Sequence, residues 1–208
     1  VDPGKPWDFT ASIAGKSGTL ELYLFQYDAR KQRVGAYNVN AVPGTETALG
    51  APVKRGDTSF TVADASKWDL KQGNIIVFDA KKDFSDLPNF QHEYYVKKIT
   101  PQGNAFLVEM SQGLFRDHPA GSLVRLHQDG GHLGWNVSLP VTGEFQRLIE
   151  PAPSYGAQPG HWWQGTAFVK LAVRTNSAAP VVIRKWSLKK VSPEELAKRK
   201  AAEAAALL

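Results

Sequence analysis

Over almost the whole chain, apolar and polar residues alternate in short stretches that are cut apart by turn-forming clusters: "DARKQR", "VPGTE", "KQGN", "PQGN", "HPAGS", "QDGGH" and "TNSAAP". Alternation with period two places successive side chains on opposite faces of a strand, and Gly, Pro, Asn and Asp at the breaks supply the turns. The pattern predicts strands near 8–14, 19–27, 33–39, 59–63, 74–79, 91–99, 105–110, 122–127, 134–141, 145–149, 166–174 and 181–190. Such a chain is all-β, and its many short strands suit a sandwich better than a barrel around one cavity. Its 208 residues suffice for one large β-domain or two smaller units.

The last stretch breaks the pattern. In "VSPEELAKRKAAEAAALL", Ser192 is placed as N-cap, Pro193 at the first helical position and Glu195 three residues after the cap, with Val191 and Leu196 positioned as a hydrophobic staple. This predicts a helix. No stop signal follows it, so two alternatives stand: a terminal helix on the body, or a link to neighbouring domains of a longer polypeptide.

Composition narrows the chemistry. There is no cysteine, hence no disulfide, thiol catalysis or thiolate metal site. No apolar run approaches the roughly 20 residues of a membrane span, and Val1 to Thr10 lacks the layout of a signal peptide, so no membrane partner is expected. The net charge is +5. Residues 50–127 hold ten Lys/Arg against nine Asp/Glu, whereas the β-rich flanks hold twelve against eight. That excess mildly favours an anionic partner, but it lacks the clustering that nucleic-acid binding needs.

Residues 50–127, with "TSFTVADASKWDLKQGNIIVFD" and "HEYYVKKITPQGNAFLVEMSQGLFRDHPAGSLVRL", resemble a small β-module that recurs in bacterial secreted and phage-tail proteins. An insertion there makes 1–49 and 128–190 two halves of one domain, with 191–208 as C-terminal helix or linker. The flanks contain "PGKPWDFTASIAGKSGTLELYLFQYDARKQRV", "GEFQRLIEPAP" and "WWQGTAFVKLAVRTNSAAPVVIRKWSLKKV". In that order they resemble the jelly-roll carbohydrate-binding modules of families 4, 9 and 16. The resemblance implies a jelly-roll β-sandwich that binds polysaccharide or oligosaccharide without catalysis. It further implies an appendage of a larger bacterial polysaccharide-degrading enzyme that is secreted, periplasmic or at the cell surface. Where such modules often carry Asp in the closing strand, this chain has Arg184 and Lys185, which cannot ligate calcium. Neither a metal nor a cofactor is expected.

Aromatic side chains supply the candidate site, because rings stack on the apolar faces of sugars while polar neighbours bond the hydroxyls. In "LELYLFQYD", Leu20, Leu22 and Leu24 point one way and Tyr23, Phe25 and Tyr27 the other. The resemblance implies that the aromatic face lines a glycan groove with Gln146, Lys170 and Arg174; the alternative is that the inserted module or the helix covers it. The loop "PAPSYGAQPGHWWQG" adds Tyr155, Trp162 and Trp163. Adjacent tryptophans at a strand entrance cannot share one core, so one of the pair is expected to face solvent or a neighbour. Trp68, Trp135 and Trp186 are expected in cores. No H-E-x-x-H, G-x-S-x-G, phosphate-binding or dinucleotide motif occurs, and His92, His118, His127, His132 and His161 lack metal-ligand spacing. A jelly-roll lyase or hydrolase assembled by folding stays open. So does a structural module whose aromatics bury against neighbouring domains.

Overall fold

The computed structural model describes residues 1–205; residues 206–208 of the expected helix lie outside the described residues. In chain order the elements are β1 (Trp7–Ala14), β2 (Gly18–Tyr27), β3 (Arg33–Val34), α1 (Ala36–Val39), β4 (Thr47–Ala48), β5 (Ser59–Val62), β6 (Ile75–Phe78) and β7 (His92–Gln102). They continue with β8 (Ala105–Met110), β9 (Leu123–His127), β10 (Gly134–Leu139), β11 (Phe145–Ile149), β12 (Phe168–Thr175), β13 (Val182–Lys190) and α2 (Pro193–Ala205). The expected strand at 33–39 is instead a two-residue strand and one helical turn. The Asn38 side chain accepts the Gly35 N–H at 2.7 Å and fixes that turn.

The chain divides into two compact units. The first comprises Val1–Arg33, His132–Pro153 and the residues from Gln158 onward; the second is Val34–Gly131 with Ser154–Ala157. The second unit is wider than the expected 50–127. Backbone bonds explain the difference: Val42 N–H donates to Leu126 O and Gln128 N–H to Asn40 O, each at 2.9 Å, so both margins belong to the inserted sheet.

The first unit is an antiparallel β-sandwich, with sheets ordered β11-β1-β13 and β10-β2-β12, the short β3 also pairing with β2. β1 and β2 are the middle strands of the two sheets. β10 and β11 flank one side of each, β12 and β13 the other, all antiparallel. Alternation then fills the space between the sheets. Phe9, Ala11 and Ile13 from β1 meet Leu20, Leu22 and Leu24 from β2, joined by Val137, Phe145, Ile149 and Trp162. α2 starts as its sequence dictates, with the Ser192 hydroxyl accepting the Glu195 N–H at 3.2 Å. Arg199 pairs with Asp8 at 3.1 Å and Lys200 with Glu150 at 3.2 Å. Asp8 is next to the inward Phe9, so the helix lies on the outer side of the β1 sheet and leaves the outer side of β2 alone.

The second unit is a six-stranded sheet ordered β4-β9-β6-β7-β8-β5. Its two ends meet: Leu49 bridges Val62, Gly50 N–H donates to Thr61 O at 2.8 Å and Ala63 N–H to Ala48 O at 2.9 Å. The sheet therefore closes into a small barrel without free edges. Phe60, Val62, Ile76, Phe78, Val96, Val108, Val124 and Leu126 fill it, and Trp68 plugs it with its indole N–H on Thr45 O at 2.7 Å. Outside the barrel wall, Arg125 and His127 alternate with the inward Val124 and Leu126 and are fully buried. Arg125 holds Asp86 at 2.8 Å and the Lys81 carbonyl at 3.0 Å, and donates to His127 Nε2. His127 in turn donates from Nδ1 to Tyr37 O at 2.7 Å. Burial, reinforced by the Arg125 charge, holds the His127 imidazole down to about 3, so it is neutral. This network fastens the segments around residues 37 and 81–89 to the wall.

Candidate functional site

Register decides which side chains share the outer face of the β2 sheet. Directly opposed residues in an antiparallel pair point the same way. Glu21, Tyr23, Phe25 and Tyr27 are opposed on β12 by Arg174, Ala172, Lys170 and Phe168. On β10, Asn136 opposes Glu21 and Gly134 opposes Tyr23. The face is thus a row of rings, Tyr23, Phe25, Tyr27 and Phe168, with Lys170 and Arg174 among them. Tyr23, Phe25 and Tyr27 are half-buried; Phe168 is 49% exposed.

Local contacts stiffen the row. Tyr23 and Phe25 stand nearly parallel, 16° apart with centroids at 6.3 Å, and His132 meets Tyr23 edge-on at 5.2 Å. The Arg33 guanidinium lies 4.3 Å over the Phe25 ring. At Gly134 an added Cβ would come within 2.5 Å of Tyr23 Cδ1, so only glycine lets that ring lie across β10. The Tyr23 hydroxyl donates to Glu21, which holds the phenol above its usual range, and Glu21 also faces Arg174 at 3.7 Å. Three cations and one carboxylate give the face a positive surplus.

Of the nine residues expected at the site, the structure brings five together: Tyr23, Phe25, Tyr27, Lys170 and Arg174. Gln146 is elsewhere, on β11 opposite Thr10 in the other sheet, with its amide on Asp8. Tyr155 belongs to the second unit, where its ring lies 4.6 Å from Phe84. Of the tryptophan pair, only Trp162 joins the sandwich core, and with Trp162 0% and Trp163 6% exposed neither indole is open to solvent. Trp162 meets Trp7 edge-on at 6.5 Å in the sandwich core. Gln26, the inward residue after Leu24 on β2, accepts the Trp163 N–H at 2.9 Å and the Thr166 hydroxyl at 2.7 Å, turning that loop inward. Trp135 stacks on Phe9 at 5.1 Å, as a core residue does. Trp186 also reaches Phe9, but β13 is an edge strand and the indole stays 44% exposed, contrary to expectation.

Sequence reading missed Phe168, Arg33 and His132. Phe168 opens a strand, and only its register with Tyr27 places it in the row. Among the described residues, no three His, Asp or Glu side chains gather as a metal centre requires. No family model matches the chain, and neither a curated protein nor a solved structure shows significant similarity to it.

Proposed function

We propose that the chain is a carbohydrate-binding module that holds polysaccharide on the outer face of β10-β2-β12. One observation carries the reading: four aromatic side chains share one face with Lys170 and Arg174, on a sheet whose other face packs Leu20, Leu22 and Leu24 into the core. Rings supply stacking surface for sugar C–H faces, and the cations, Glu21 and Asn136 supply donors and acceptors for hydroxyls or carboxylates. The antiparallel sandwich and the motifs of its flanks support the same reading. On it, the chain serves as a non-catalytic bacterial module of an exported polysaccharide-acting enzyme.

Affinity electrophoresis through gels containing neutral and acidic polysaccharides tests this. Retardation that persists in moderate salt and weakens about tenfold in Phe25→Ala or Phe168→Ala is expected, a loss of ~1.4 kcal/mol per ring. Retardation only by acidic polysaccharide at low salt would assign binding to Lys170, Arg174 and Arg33 rather than to the rings. A second reading, a structural module buried against neighbouring domains, is favoured by one feature. Val173 and Trp186 occupy inward register positions on the edge strands β12 and β13, yet remain 46% and 44% exposed. No retardation by any polysaccharide would favour that module.

A further inference from the structure

The second unit contains a cleft of about 230 Å³ on the outer side of its barrel, bordered by Tyr37, His92, Tyr94, Tyr95, Phe115 and Asp129. In the sequence its histidine, His92, shows no metal-ligand spacing. Tyr95 and Phe115 are 44% and 42% exposed, among the most exposed large apolar side chains of the protein. Tyr94 lies 4.4 Å from Phe115 and Tyr37 lies 4.5 Å from His92, so two ring pairs flank the opening.

The polar groups are fixed from behind. Asn38 Oδ1 accepts the Gly35 N–H, and its Nδ2 donates to Asn89 O at 2.9 Å, which settles the orientation of the amide. The same Nδ2 faces His92 Nδ1 at 3.4 Å, making that nitrogen the acceptor and assigning the imidazole proton to Nε2. Nε2–H has no partner among the described residues. Burial, then the Arg116 charge, keeps His92 below its usual range, so it is neutral at pH 7. Glu93 is 2% exposed and accepts the Phe115 N–H at 2.6 Å, while Arg116 and His118 each approach it at 3.5 Å. That carboxylate locks the segment carrying the Phe115 ring. Tyr37 is held through its own carbonyl by His127.

We infer that this cleft is a second, independent binding site, for a single uncharged sugar ring of an oligosaccharide. A pyranose has an apolar C–H face for Tyr95 or Phe115, and hydroxyls that accept from His92 Nε2–H and donate to the Asp129 carboxylate. Other classes fit less well. A purely apolar ligand would leave the imidazole N–H and Asp129 unpaired. A phosphorylated ligand meets two carboxylates, Glu93 and Asp129, against the single cation Arg116. The inference rests on the second unit alone and does not need the β2 face to bind anything.

The test uses the full chain, isotope-labelled, with NMR detection of the His92 imidazole and the Phe115 ring. The probes are the linear hexasaccharides of β-1,4-glucan, β-1,4-xylan and β-1,3-glucan. At least one should shift both signals saturably. Tyr95→Ala should weaken that response about tenfold, and Phe168→Ala should leave it unchanged. If Tyr95→Ala loses its native spectrum, Phe115→Ala, read on His92, takes its place. Shifts confined to β2 and β12 would overturn the second site and keep the sandwich reading. Shifts confined to the cleft would do the reverse, and silence at both sites with all three probes overturns both.

Discussion

A tryptophan and a phenylalanine show how little a residue's type says about its task. Trp162 is wholly enclosed among Trp7 and the sandwich core, so Trp162→Ala should lower stability by about 3–5 kcal/mol in chemical denaturation. Phe168, half exposed, should cost far less when truncated and be felt in binding instead. His127 gives a pH signature. Its unfolded imidazole titrates near 6.5 and the folded one at about 3, so between those values the unfolded chain binds more protons. Stability is therefore full above pH 6.5 and falls as the pH drops below it, with a slope of at most about 1.4 kcal/mol per pH unit from this one group. Denaturant midpoints measured from pH 7 to 5 should fall less steeply in His127→Gln, which keeps a donor for Tyr37 O and an acceptor for Arg125.

At the scale of elements, the terminal helix is the most self-explanatory part. Its cap, proline and acidic first turn act over four residues, and all are read directly from "SPEE". Ser192→Ala should remove about 1 kcal/mol from the helix, seen as faster amide exchange at Glu195 and Leu196 with the sandwich unchanged. The β2 row was equally legible, because period two alone separates Leu20, Leu22 and Leu24 from Tyr23, Phe25 and Tyr27. Across strands legibility ends. Nothing local tells that Phe168 stands opposite Tyr27 while Gln146 stands opposite Thr10 in the other sheet, since register is set by the whole ladder. The burial of both tryptophans was illegible for a related reason. Both precede β12, where strand alternation does not apply, and a distant side chain, Gln26, directs their loop.

The whole molecule has two separate cores, one drawn from residues 49–126 and the other from the flanking halves. Residues 34–131 expressed alone should therefore unfold in a single cooperative transition monitored by Trp68 fluorescence, whereas the full chain should need two transitions to be described. A non-cooperative melt of the isolated segment would contradict this division. The way the inserted barrel ends has a consequence for folding order. Asn40 and Gln128 are tied by a backbone bond, and Ala41 bridges His127, so the folded barrel brings its own entrance and exit side by side. β2 and β10, which must pair in the sandwich, lie just outside those two points in the chain. Before the barrel forms, their pairing has to close a loop of about a hundred residues. Afterwards it closes a loop of roughly twenty residues, and the entropic barrier drops modestly with loop length. The insertion thus acts as a nucleating clasp, and the sandwich should assemble only as fast as the barrel it carries.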